Sequence, residues 1–388
     1  MLDRRNFIYG AGAVLASRDL FAAEYDLVVR GGRVLDPSQK LDRVTDVAVK
    51  GGKIAAIGPN LVAGKTVDAK GKLVVPGLID FHMHAGDLKL TPAEVLSTGV
   101  TTFLDGGSRG ADNLDELVGV AKNANRMRIF INIARLGNNN SAGRGEFLDG
   151  LGTADIAKCQ AAIERNREYV IGIKARLSRG VALDQDVEVL RRARVVADAV
   201  KLPIMIHIGD TFSPLPKLLA MLRPGDIVTH PYAPPPHGIF DDKGKILPEV
   251  FAARKRGVLF DFGNGRLEHW TWDLAQSALK QGFAPDMIST DLNLTSRTDQ
   301  VFDLPTTMSK FLALGMPLHE VVARVTIDPA RAMKPLNGLG TLRKGAVADI
   351  TVLTLTEGSF DFLDNANTVR KGTQKLSTHA VIAGGTLI

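Results

Sequence analysis

The stretch Val75-Pro76-Gly77-Leu78-Ile79-Asp80-Phe81-His82-Met83-His84 is an apolar run that ends in two histidines. Residues two apart in a strand point to the same side, so His82 and His84 can reach one metal ion from a strand end. Outward from this run the pattern repeats. Strands are expected at 73–85, 100–106, 128–136, 170–177, 203–210, 226–232, 258–264 and 288–293, with helix-period stretches such as 184–200 and 272–281 between them. Repeated strand-then-helix units imply parallel pairing, and eight of them in about 260 residues match a (β/α)8 barrel. A doubly wound open sheet is the alternative, and no GxGxxG follows a strand to support it.

Chemistry-bearing side chains recur at the ends of these strands. Histidines close the fifth (Ile204-Met205-Ile206-His207) and the sixth (Ile227-Val228-Thr229-His230), and an aspartate closes the eighth (Ile288-Ser289-Thr290-Asp291). Lys174 sits inside the apolar fourth, Val170-Ile171-Gly172-Ile173-Lys174-Ala175-Arg176. Barrel active sites lie at the carboxyl ends of the strands, where all six residues converge. Taken singly, a strand-end histidine is more often structural, and a lysine in an apolar run usually sends its head group to water. Four of the eight histidines at three strand ends, with a lysine and an aspartate at two more, exceed what packing preferences produce. His237, His269, His319 and His379 stand elsewhere and read as surface or supporting residues.

Both flanks of the barrel region differ from it. Residues 25–72 and 337–388 consist of short β-branched runs bounded by Gly-Gly and Asp-Pro turns, such as Val44-Thr45-Asp46-Val47-Ala48-Val49 and His379-Ala380-Val381-Ile382-Ala383. They read as two parts of one small β-domain, on either side of a barrel at 73–336. Residues 1–24 are set apart again. Arg4-Arg5-Asn6-Phe7-Ile8 and the Gly/Ala-rich run after it resemble a twin-arginine export signal, which implies a periplasmic location, with a cytoplasmic protein carrying an ordinary tail as the alternative. The run is too short to span a bilayer.

Composition excludes several classes. With 388 residues, 45% hydrophobic and 23% charged, the chain is an ordinary globular protein. A mean hydropathy of +0.04 argues against an integral membrane protein. The net charge of +6 comes with basic clusters at Arg191, Arg192 and Arg194, and at Arg254, Lys255 and Arg256. They lie in amphipathic stretches without interleaved aromatics and read as solvated helix faces rather than a nucleic-acid surface. The single cysteine, Cys159, excludes an internal disulfide and reads as a small helix residue. A homo-oligomer remains compatible with all of this.

The quoted stretch, followed by Thr98-Gly99-Val100-Thr101-Thr102, resembles the signature of the amidohydrolase superfamily. The order His-x-His, Lys, His, His, Asp is similar to its binuclear, carboxylated-lysine subtype of dihydroorotases, hydantoinases, isoaspartyl dipeptidases and D-aminoacylase-like enzymes. Within it, Gln281-Gly282-Phe283-Ala284-Pro285-Asp286-Met287-Ile288-Ser289-Thr290-Asp291 looks most like the amidohydrolase/deacetylase group, whose members cleave acetyl esters of α-hydroxy acids. The resemblance implies a (β/α)8 barrel beside a small β-sandwich domain made from both chain ends. It also implies two divalent metal ions bridged by N6-carboxylysine at Lys174, with His82, His84 and Asp291 on one and His207 and His230 on the other. A bridging hydroxide would attack the carbonyl while Asp291 acts as general acid/base. Zinc is the default for such ligands, though manganese or iron fits much the same set. This chain departs from the group at Gly263-Asn264-Gly265, where the group carries a histidine between the glycines.

Other polar residues near the strand ends suggest a small-molecule substrate carrying a carboxylate. Arg176 lies two residues past Lys174 and can clamp a carboxylate, or pair with a neighbouring loop. Tyr232 follows His230 and Asn293 follows Asp291 at the same spacing, and Asn264 ends the seventh strand. Trp270 and Trp272 are either pocket wall or helix packing. Three functions compete: a deacetylase-type ester or amide hydrolase, a cyclic amidase or D-/isoaspartyl dipeptidase, and a scaffold without catalysis.

Overall fold

The computed structural model describes residues 25–86, 91–124, 126–138, 146–147, 150–236, 238–266 and 268–388. The twin-arginine segment and His237 lie outside the described residues. The chain opens with β1 (Tyr25–Asp36), β2 (Leu41–Lys50), β3 (Lys53–Gly58), β4 (Ala63–Asp68) and β5 (Leu73–Pro76). Next come seven strands that pair in parallel in chain order. They are β6 (Leu78–Met83), β7 (Val100–Asp105), β8 (Met127–Asn132), β9 (Val170–Arg176), β10 (Ile204–His207), β11 (Ile227–Thr229) and β12 (Leu259–Asp261). β13 (Ile350–Leu363), β14 (Val369–Ala383) and β15 (Thr386–Leu387) then return to the first sheet. The fold is α/β, a barrel of parallel strands beside a mostly antiparallel sheet drawn from both ends of the described chain.

The expected first strand, 73–85, is two strands in two sheets. Residues Leu73–Pro76 pair with β1 and β13 in the small domain, and Leu78–Met83 opens the barrel. The break falls at Gly77, whose backbone N–H donates to the Asp349 carbonyl at 2.8 Å. A Cβ there would lie 2.3 Å from Thr101 Oγ1 and 2.7 Å from Asp349 Cβ, so only glycine lets the chain cross between the domains. The expected eighth strand forms no continuous ladder. Residues 287–292 close the barrel as a stave of single bridges, Asp261 to Met287 on one side and Met83 to Leu292 on the other.

Helices cover the outside of the barrel. Asp186–Val200 buries Val189, Leu190, Ala193, Val196, Ala197 and Val200, the stripe that a 3.6-residue period places on one face. Asp155, Thr271 and Asp303 each cap a helix by accepting a backbone N–H. Cys159 is fully buried in the helix Ile156–Arg165, where burial pushes its thiol up to about 12. Several cations of the two basic clusters are tied into the fold rather than solvated. Arg192 donates to the Leu151 and Ala154 carbonyls, Arg194 pairs with Asp226, and the Arg254 guanidinium lies 3.7 Å from the centre of the Phe283 ring. Among the described residues, no helix is long and apolar enough to cross a membrane.

Candidate metal centre

The lower interior of the barrel is an apolar plug that includes Ile79, Phe81, Leu104, Phe130, Ile171, Met205, Ile227 and Met287. Directly above it the same strands become polar. Asp261, on β12, accepts from Ser289 Oγ at 2.6 Å and Thr229 Oγ1 at 2.8 Å, and lies 3.1 Å from His82 Nδ1. Asp80 accepts from the backbone N–H and the hydroxyl of Thr290. Burial pushes both carboxyls up to about 7, against the hydrogen bonds that favour their charged forms.

The next layer holds the six expected residues. A register shift between Asp80 and Met83 re-aims β6 so that His82 and His84 both turn to the cavity. His230 (φ 64°) and Asp291 (φ 47°) occupy left-handed backbone, a conformation that costs a non-glycine residue about 1–3 kcal/mol and that surrounding structure must hold. Three imidazoles are oriented from behind through Nδ1: His82 by Asp261, His84 by Ser108 at 3.0 Å, and His230 by the Gly263 carbonyl at 2.9 Å. Ser108 in turn donates to Asp105 at 2.7 Å. Their Nε2 atoms then face Asp291, at 3.4 Å for His82, 2.9 Å for His84 and 3.8 Å for His230. Lys174 is 1% exposed, with Nζ 3.0 Å from His82 Nε2. Room for it comes from Gly107, where a Cβ would sit 2.6 Å from the lysine's Cβ and Cγ.

These spacings suit a metal. Donors about 2.0–2.1 Å from one tetrahedral ion stand roughly 3.3–3.4 Å apart. His82, His230 and Asp291 form one group that could hold an ion, and His207, His230 and His269 form another. His230 Nε2 and His269 Nδ1 are buried with no hydrogen-bond partner, as unused donors to a metal would be. Burial drives His82, His207 and His230 well below the usual histidine range, with the neighbouring positive charges adding to it, so these imidazoles stay neutral and able to ligate. Burial opposes ionisation of Asp291, yet His82, His269 and His84 hold its carboxyl well below the usual range. Burial also pushes the Lys174 amine down to about 8, against the pull of Asp291 and Asp261, which enlarges its neutral fraction.

A deacetylase from Enterococcus faecalis is 31% identical to this chain over 380 residues, covering 93% of this chain and 98% of that protein. The chain belongs to the amidohydrolase superfamily. The model of the Amidohydrolase family matches residues 255–388. A crystal structure of an adenine deaminase superposes with a TM-score of 0.85 at 30% identity, covering 94% of this chain and all of that one. A dihydroorotase structure gives 0.83 at 27% identity, covering 93% and 98%. The chain is accordingly a hydrolytic enzyme of this superfamily, whose members use divalent metal ions, and the scaffold reading is set aside.

In this amidohydrolase the site opens into a cavity of about 900 Å³ lined in part by His84, Lys174, Arg176, His207, His269 and Asp291. Arg176 reaches it but pairs with Glu146 at 2.7 Å. Asn293 lines it while its Oδ1 caps the loop through the Thr295 and Ser296 N–H groups. Tyr232 and Asn264 are not brought to the cavity. The Tyr232 hydroxyl donates to the Phe283 carbonyl, and Asn264 is held by Trp270, Lys310 and Thr307. Trp270 and Trp272 are packing residues, with ring centroids 4.7 Å apart. Sequence reasoning missed Asp261, although an aspartate inside Leu259-Phe260-Asp261-Phe262 carries the same signal as Lys174 in its apolar run. It also left out His269, which lies in a loop where periodicity is silent.

Proposed function

We propose that this enzyme is a binuclear metallohydrolase of the deacetylase type, cleaving an ester or amide beside a carboxylate. The observation that carries the proposal is the meeting of His82, His84, Lys174, His207, His230 and Asp291 from five staves at one end of the barrel. A neutral Lys174 amine bonds through nitrogen to carbon dioxide and releases one proton, giving a carbamate that offers two oxygens. His82, His84 and Asp291 would then hold one ion and His207 and His230 the other, with zinc the natural choice for this nitrogen and oxygen set. Bound ions would bring a water toward ionisation near neutral pH and polarise the scissile carbonyl. Asp291, kept anionic by its histidines, takes the proton of the attacking water and returns it to the leaving group. Arg176 and Arg266 at the cavity provide cations for a substrate carboxylate, each balanced by an acid, Glu146 and Asp299.

The deacetylase kinship favours acetyl esters or N-acyl groups, and the likeness to a dihydroorotase favours cyclic amides as the second reading. A panel of acetyl esters of α-hydroxy acids, N-acyl-D-amino acids, isoaspartyl dipeptides and hydantoins separates them. Turnover of an acetyl ester or N-acyl substrate is expected, with kcat reduced about 10²–10⁴-fold in Asp291→Asn. Turnover of hydantoins alone would favour the second reading. The proposal extends to export through Arg4-Arg5-Asn6-Phe7-Ile8. Residues 1–24 fused to a reporter should carry it to the periplasm, and Arg4→Lys/Arg5→Lys should abolish that; a cytoplasmic fusion would contradict it.

A further inference from the structure

His269 belongs to the loop after Gly265, yet its ring stacks on His230 with centroids 4.0 Å apart and meets His207 edge-on at 5.1 Å. Ring nitrogens of His207, His230 and His269 lie within 4.8 Å of one another. His269 Nδ1 is buried and, among the described residues, makes no well-formed hydrogen bond, its one close polar contact being Asp291 Oδ2 at 3.4 Å. An exposed surface histidine would leave that nitrogen to water, and a packing histidine would satisfy it with a well-aligned hydrogen bond rather than a long contact to an acid that three other histidines also face.

The backbone is shaped around this placement. Next in the chain, Trp270 is fully buried, with its indole N–H donating to Asn264 Oδ1 at 2.7 Å, so the loop is anchored one residue from the imidazole. Gly265 (φ 53°) clears the path. A Cβ there would stand 2.0 Å from His269 Nδ1 and 2.5 Å from Asp291 Oδ2. An imidazole brought in this way beside two others completes a three-histidine face, a donor set that holds zinc and leaves a further position open.

We infer that His269 is a third imidazole ligand, sharing with His207 and His230 the ion on the far side of Lys174 from His84. This rests on the two-ion reading above. Two functions follow for one residue: it adds a nitrogen donor to that ion, and it holds Arg266 and Glu268 at the rim of the cavity, so that loading of the ion and ordering of the rim are coupled.

The test is zinc content at a buffered free-zinc concentration, measured by inductively coupled plasma mass spectrometry on the full chain prepared with bicarbonate. Folding is checked by circular dichroism, and His269→Gln is run beside His269→Ala to keep the side chain's volume. His84→Ala isolates the ion of His207 and His230, and His207→Ala isolates the other. In the His84→Ala background, His269→Ala should weaken the remaining ion more than about 100-fold, since loss of a mere supporting partner costs 10–100-fold. In the His207→Ala background, His269→Ala should leave zinc content unchanged. An unchanged ion in the first background overturns the ligand role. Loss of the ion in the second also overturns it, because His269 would then act through Asp291. If the wild type holds one ion, the two-ion reading fails by itself. The ligand role then stands where His269→Ala strips that ion and falls where it does not.

Discussion

The two ends of the barrel interior are built on the same strands and obey opposite rules. At the lower end Phe81, Phe130, Ile171 and Met205 fill the space with apolar groups, and Gly172 makes room for the Phe130 ring. At the upper end His82, Lys174 and His207 continue three of those four strands with ionisable groups that burial holds away from their ordinary protonation. Left-handed backbone at His230 and Asp291 lies at the upper end, among the ionisable groups. The difference teaches that the plug supplies the rigidity, and the site spends part of it on buried charge and strain, which is why barrel chemistry sits at the strands' carboxyl ends.

This contrast can be broken from either side. The largest effect is expected from Lys174→Ala, which should remove metal and activity together while leaving the apo-protein about as resistant to urea as the parent, because removing a buried amine offsets the loss of its 3.4 Å contact with Met205 Sδ. Unchanged metal content would end the bridging role. Phe130→Ala should do the reverse. It should lower stability in urea by about 3–5 kcal/mol while metal content per folded chain stays constant; a loss of metal at full folding would show that the two ends are not separable.

Smaller changes sharpen the boundary between them. Asp261→Asn, in the polar layer, should weaken zinc binding about 10–100-fold by freeing His82 to rotate, with little change in urea resistance. An unchanged zinc affinity would deny Asp261 its orienting role. Lys310 is buried outside the metal layer, donating to the Gln300 carbonyl at 2.6 Å, and burial pushes it down to about 7 from 10.5. Between those values the unfolded chain holds a proton that the folded chain lacks, so this group's contribution to stability rises with pH across that window. The urea midpoint of the wild type should therefore gain on that of Lys310→Met from pH 7 to pH 9.5. Parallel midpoints would mean that the folded amine stays charged.

Much of the barrel was legible because one-dimensional signals report one-dimensional causes. Strand-end histidines, Lys174 in an apolar run and the helix stripe at Val189, Ala193 and Val196 all follow from local periodicity. What was not legible depends on tertiary placement. Nothing in an apolar run reveals that its two halves serve different sheets, as happens across Gly77. The rule that residues two apart share a side fails after the left-handed backbone of His230. Tyr232 therefore leaves the cavity just after His230, although Arg176, on the regular strand β9, stays at it. His269 arrives through a loop pinned by Trp270, and no spacing encodes that.

The most direct test of the central claim is the number of metal ions bound by the wild-type chain purified with zinc and bicarbonate, measured by inductively coupled plasma mass spectrometry. Close to two equivalents per chain is expected from ligands gathered on both sides of Lys174. No bound metal after careful loading would contradict the account, because the buried imidazoles of His82, His207 and His230 would then have no ion to hold.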